Sequence, residues 1–163
     1  MTVNGKRIVR VGQLKRADFL RKTNYYWFAM MFKLLDPGLR YTRLPARRVD
    51  GVDYELVKVT FDAGVGDAQD TYLLYINKRT HLVDRFLFTV MDFGRKKPLL
   101  MKVRYTEVNG LKLPTHRQYT PSDWQGRVPK RAKWTTEISR DITFNNQFGR
   151  EQFALPKKRG ATP

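Results

Sequence analysis

His81 and His116 are the only imidazoles in the chain, and neither has the company that imidazole chemistry needs. His81 sits beside a turn and His116 follows Pro114 on a strand, with no His-x-Glu, HExxH or paired spacing around either. The serines are Ser122 and Ser139, and neither stands in a nucleophile elbow. With no cysteine, disulfides, thiolate metal sites and cysteine nucleophiles are all excluded. Gly64 and Gly66 follow a strand, but no Lys and no helix comes after them, so they form no phosphate-cradling loop. Asp62, Asp67 and Asp70 gather around these glycines and offer the hard oxygens that Ca²⁺ takes. Their spacing matches no calcium loop, and Asp is an ordinary turn former, so the turn reading is preferred. No catalytic residue, metal or cofactor is expected, and the chain reads as a non-enzyme.

What remains is charge and apolar surface. The 163 residues carry 32 basic and 15 acidic side chains, net +17, unevenly spread. Residues 1–50 are net +9, residues 51–92 net −3 and residues 93–163 net +11. Such an excess points to polyanions or an anionic membrane surface, unless it simply solvates the protein. The aromatic run Tyr25, Tyr26, Trp27 and Phe28 beside Arg21 and Lys22 has the chemistry to stack on bases along a basic groove. No RNP-type or helix-turn-helix pattern accompanies it, so core packing is the plainer reading.

These residues must be held by recognisable elements. Lys6–Val11 alternates weakly and suggests a first strand. Arg16–Leu35 is free of Pro and Gly and suggests a helix stopped by Asp36-Pro37-Gly38, although Tyr25–Phe32 also suits a strand. Arg40–Asp50 reads as a basic loop. Strand signals follow at Val52–Phe61, where Leu56 beside Val57 breaks the alternation and suggests a bulge. A Gly/Asp loop spans Phe61–Asp70, and the segment Thr71–Phe93 forms a hairpin turning at Asn77–Thr80. Gly94–Pro98 suggests a turn. Leu99, Met101, Val103 and Tyr105 point one way, with Lys102 and Arg104 opposite. Asn109-Gly110 is a hairpin turn into Leu111–Tyr119, residues 121–131 form a basic loop, and Trp134–Phe144 closes the series as a strand.

The expected architecture is mainly β: an antiparallel meander of about six strands with one N-terminal helix packed on it. A single domain covers 1–156, followed by a basic disordered tail over 157–163. Met1–Leu14 has no apolar core of a secretory signal. The longest apolar run, Tyr25–Phe32, is far shorter than the ~20 residues of a membrane span, so a soluble protein is expected. The hairpin over Thr71–Phe93 poses a puzzle. Tyr72, Leu74 and Ile76 share a face, yet Leu73 and Tyr75 behind them are apolar too, so both sides must be covered. The helix is expected on part of one side.

The segment Asp70–Val90, DTYLLYINKRTHLVDRFLFTV, resembles a hairpin of uncharacterised bacterial envelope proteins similar to the outer-membrane lipoprotein carrier (lipoprotein-sorting) superfamily. The likeness continues through Tyr25–Gly38, Val49–Phe61, Met101–Arg117 and Ile142–Phe153. It implies an open, incomplete β-barrel wrapped on a helix, whose apolar trough takes acyl chains of lipids or lipoproteins. It also implies a periplasmic or cell-envelope location.

On that reading the trough is lined by Trp27, Met31, Leu74, Phe86, Phe88, Met101, Val103 and Trp134. Arg40, Arg43, Arg47 and Arg48 meet anionic headgroups at its mouth. The basic ends would attract an anionic leaflet. Two alternatives stay open: a nucleic-acid-binding basic protein, and a structural or interaction domain whose core is filled.

Overall fold

The fold described here is a computed structural model, which describes residues 2–3, 6–7, 11–65 and 69–150. The proline-free stretch Val11–Lys33 is helix α1, settling the Tyr25–Phe32 ambiguity in favour of a helix. It ends a turn before Pro37-Gly38, where tight bonds from the Leu35 and Asp36 amides to the Phe32 and Lys33 carbonyls close it. Upstream, of the expected strand Lys6–Val11, Lys6–Arg7 form β2, paired antiparallel with β1 (Thr2–Val3); residues 8–10 lie outside the described residues, and Val11 belongs to the helix.

The rest is a seven-stranded antiparallel meander, β3 (Leu39–Val49), β4 (Val52–Phe61), β5 (Tyr72–Asn77), β6 (Val83–Val90), β7 (Arg95–Val108), β8 (Leu111–Pro121) and β9 (Thr135–Ile138). Each strand pairs with the next in sequence and the sheet does not close, leaving an open half-barrel. At the β7–β8 turn, Asn109 and Gly110 both take positive φ (49° and 77°), the geometry that matches a two-residue turn to strand twist.

The expected basic loop Arg40–Asp50 is instead the edge strand β3. Its four arginines hide a pattern in which Leu39 and Tyr41 face one side and Leu44 and Val49 the other. The irregularity expected near Leu56 lies across from it, in β3 between Leu44 and Arg47. Pro45 occupies that shift, Pro98 a shift between β6 and β7, and Pro114 one between β7 and β8. Proline cannot donate to a ladder, so bulges are where a sheet tolerates it. The expected turn Gly94–Pro98 is therefore displaced. The chain reverses one step earlier, through a 3₁₀ turn at Met91–Phe93 capped by Gly94, and Arg95–Pro98 already belongs to β7. Likewise Trp134–Phe144 yields only the short β9, because the positive φ of Asp141 breaks the extended chain beyond it.

Both faces of the sheet are covered, which resolves the puzzle of the hairpin. On one face Tyr72, Leu74, Phe86, Phe88, Leu99, Met101 and Val103 pack beneath Trp27 and Met30 of the helix and Leu34 just past its end. On the other, Tyr54, Leu56, Leu73, Tyr75, Leu87 and Leu100 lie under Trp124 and Val128 of the basic loop. That loop, polar in sequence, thus works as a lid on a second small core.

Candidate functional site

The helix crosses the sheet without covering all of it. Trp27 is its anchor, with its ring 5.4 Å from Phe88 and 5.5 Å from Tyr119. A cavity of about 770 Å³ opens along α1, from Lys15 to Asp36 just past its end, against the ends of β4, β5 and β6. Its walls are aromatic: Phe19, Tyr26, Trp27, Phe61, Tyr72, Phe88 and Phe93. Tyr72 forms the floor, stacked with Phe88 at 6.3 Å and 6.0 Å from Phe61. Phe19 and Phe93 meet edge-on at 4.7 Å, although Phe93 is half exposed. Such a volume and lining suit a drug-sized apolar ligand.

The charged groups of the cavity are of both signs, four aspartates and three lysines. The Tyr26 hydroxyl is buried, facing the Tyr72 hydroxyl without a well-aligned hydrogen bond. Burial, above all, pushes the Tyr26 phenol up to about 12, and pushes Tyr72 well above the ordinary phenol range. Asp70 stands at the start of β5. Its Oδ1 accepts hydrogen bonds from the Thr89 hydroxyl (2.9 Å) and the Met91 amide (2.8 Å), while Thr89 Oγ1 in turn accepts from the Thr71 amide. Burial raises the Asp70 carboxyl above its ordinary value despite these bonds, and the charge of Asp92 adds to the rise. At the rim, Lys33 pairs with Asp36, and Lys22 with Asp18 at 3.5 Å. Lys15 and Asp92 also line it.

The expected trough residues divide into three groups. Trp27 and Phe88 line the cavity. Leu74, Phe86, Met101 and Val103 lie on the same face but belong to the filled core, with Met31 packed at its border. Trp134 stands apart: the Lys102 ammonium lies 5.2 Å from its ring, on the face opposite Met101, and the side chain is 39% exposed.

Nor do the four arginines gather at a mouth. Alternation along β3 places Arg43 and Arg48 on the helix side, and Arg40 and Arg47 on the other. Arg40 pairs with Asp62, Arg43 with Glu55, Arg48 with Asp53, and Arg47 donates to the Tyr75 hydroxyl. Of the three aspartates of the Gly/Asp loop, Asp67 lies outside the described residues, Asp62 pairs with Arg40, and Asp70 accepts from Thr89 and the Met91 amide. Among the described residues no group of acids and histidines is placed to hold a metal. Among the described residues the polar partner of His116 is Arg104, at 3.4 Å.

Sequence reasoning missed Phe19, Phe61, Tyr72, Asp70 and Phe93 as cavity residues. A signal existed for Asp70, because it sits in the one net-negative stretch of a strongly basic chain. A second hollow, of about 710 Å³, lies between the start of β7 and the 122–129 loop, and Arg95, Lys96 and Lys97 line it beside Trp124. Compared with known proteins, the chain finds no significant match among family models, curated proteins or solved structures.

Proposed function

We propose that the chain is a non-enzymatic binder of lipophilic ligands, holding an acyl or alkyl chain in the aromatic cavity between α1 and the sheet. The observation that carries this is the cavity itself, about 770 Å³ with an aromatic wall and a charged rim, beside an otherwise filled core. Burying methylenes there gains about 0.8 kcal/mol each, so eight of them contribute roughly 6 kcal/mol without any catalytic group. The carrier-like hairpin and the half-barrel form support the same reading, including an envelope setting. The basic exterior would then meet an anionic leaflet.

Native mass spectrometry of gently purified protein is expected to show adducts that organic extraction identifies as alkyl- or acyl-containing. A neutral fluorescent alkyl probe should bind and stay bound in ~1 M salt, where the Debye length is only ~3 Å. A bare mass together with no probe binding would refute the reading.

One observation favours a second reading, nucleic-acid binding: the cationic hollow at Arg95, Lys96 and Lys97 with Trp124 beside it. Among the described residues none of these three cations makes an ion pair. Nucleic-acid association there would weaken by about 0.9 logarithmic units per phosphate contact for each tenfold rise in salt. Tight DNA or RNA binding at physiological salt, with no alkyl binding, makes this second reading the correct one.

A further inference from the structure

The polar character of the cavity runs against the rest of the molecule. A chain of net +17 places four aspartates and three lysines around this one opening. Lys22 and Lys33 are each within ion-pair distance of an acid, Asp18 and Asp36. The arginines expected to receive an anionic headgroup stand on β3, each already engaged.

Deeper in, Asp70 is a carboxylate without a cationic partner among the described residues. Only its Oδ1 is used, by the Thr89 hydroxyl and the Met91 amide. It lines the same cavity as Tyr26 and Tyr72, and its charge adds to the rise of both phenols. A partly buried carboxylate that lines a cavity and has no cationic partner among the described residues attracts an organic cation through its charge.

We infer that the ligand of this cavity is an amine-bearing amphiphile, a primary or quaternary ammonium on an alkyl chain, with its cation at the Asp70 carboxylate and its chain along the aromatic wall toward Trp27. This rests on the lipophilic-binder reading above and specifies the head of that ligand. Asp70 has a structural duty as well, clamping the start of β5 to the end of β6. Asp70→Asn separates the two duties, because asparagine keeps an acceptor at Oδ1 for Thr89 and Met91 while the charge is lost.

The experiment compares dodecylamine, 1-dodecanol and dodecanoate, equal in chain and different in head, by calorimetric titration below their micellar concentrations against the full chain and its Asp70→Asn variant. The amine is expected to bind about tenfold tighter than the alcohol, and dodecanoate more weakly than the alcohol. In Asp70→Asn the affinities for amine and alcohol should converge, with alcohol affinity and circular dichroism unchanged. Dodecanoate binding as tightly as the amine, or an amine preference that survives the substitution, overturns the inference and leaves the lipophilic-binder reading standing. Binding of none of the three overturns both.

Discussion

Phe88→Ala and Trp134→Ala distinguish the two faces of the sheet. Phe88 is 1% exposed, flanked by Leu99 and Tyr72 on neighbouring strands and by Trp27 from the helix. Removing a buried phenylalanine ring costs about 3–5 kcal/mol through lost transfer energy plus the void left behind. Here the ring is enclosed by Trp27, Tyr72 and Phe86, so the cost is at least the low end of that range, about 3 kcal/mol. For a chain of this size that lowers Tm by roughly 6–12 °C. Trp134, larger but 39% exposed, loses mainly its contact with the Lys102 ammonium, about 0.5–1 kcal/mol. Urea denaturation followed by circular dichroism measures both, with a changed midpoint and an unchanged slope marking a true stability effect. The reasoning fails if Phe88→Ala costs under ~1 kcal/mol, or if Trp134→Ala costs as much as Phe88→Ala.

The remaining predictions concern ionisable groups. Burial raises the Asp70 carboxyl, so the folded protein holds that proton more tightly than the unfolded chain. Stability from this group is therefore present in acid and lost as pH rises through the folded value, with Asp92, Tyr26 and Tyr72 as its titratable neighbours. Asp70→Asn should accordingly melt higher than the parent at pH ~7, the gap closing toward pH ~4; a lower Tm at neutral pH would contradict it. Arg117 is buried on the helix-side face, bonded to Glu137 (3.4 Å) and the Pro114 carbonyl (2.7 Å). Glu137→Ala strips its counter-charge and should cost about 1–3 kcal/mol in a denaturant titration, whereas a neutral result would mean that water already screens the pair.

The mainly β architecture, the helix and the turns at Asn77–Thr80 and Asn109-Gly110 were legible because period, glycine and asparagine signal them locally. The edge strand β3 was not, since Arg40, Arg43, Arg47 and Arg48 hide its alternation and an edge strand needs little apolar surface. One-face burial of Leu99, Met101 and Val103 could be read from alternation. Which of these residues would face a cavity could not, because that depends on where a helix whose second half is apolar all round comes to rest. Trp27 and Phe88 were found, while Leu74, Phe86, Met101 and Val103 lie in the filled core. Tyr72 carried the same apolar signature as those residues, yet it floors the opening.

The strictly sequential strand order has a consequence for how the molecule assembles. Connections of two residues join β3 to β4 and β7 to β8, and the sheet requires no pairing between strands distant in sequence. Loop closure is cheap at every step, so the meander can zip up hairpin by hairpin, a topology associated with rapid folding for a β protein. The helix is different. It is held to the sheet by side-chain packing through Trp27, Met30 and, just past its end, Leu34, not by a shared ladder. It can therefore lift as a cooperative unit while every strand pair persists. Native-state hydrogen exchange would then show α1 amides opening at lower free energy than those of β5 to β7, and that same opening would uncover the aromatic floor to an arriving molecule.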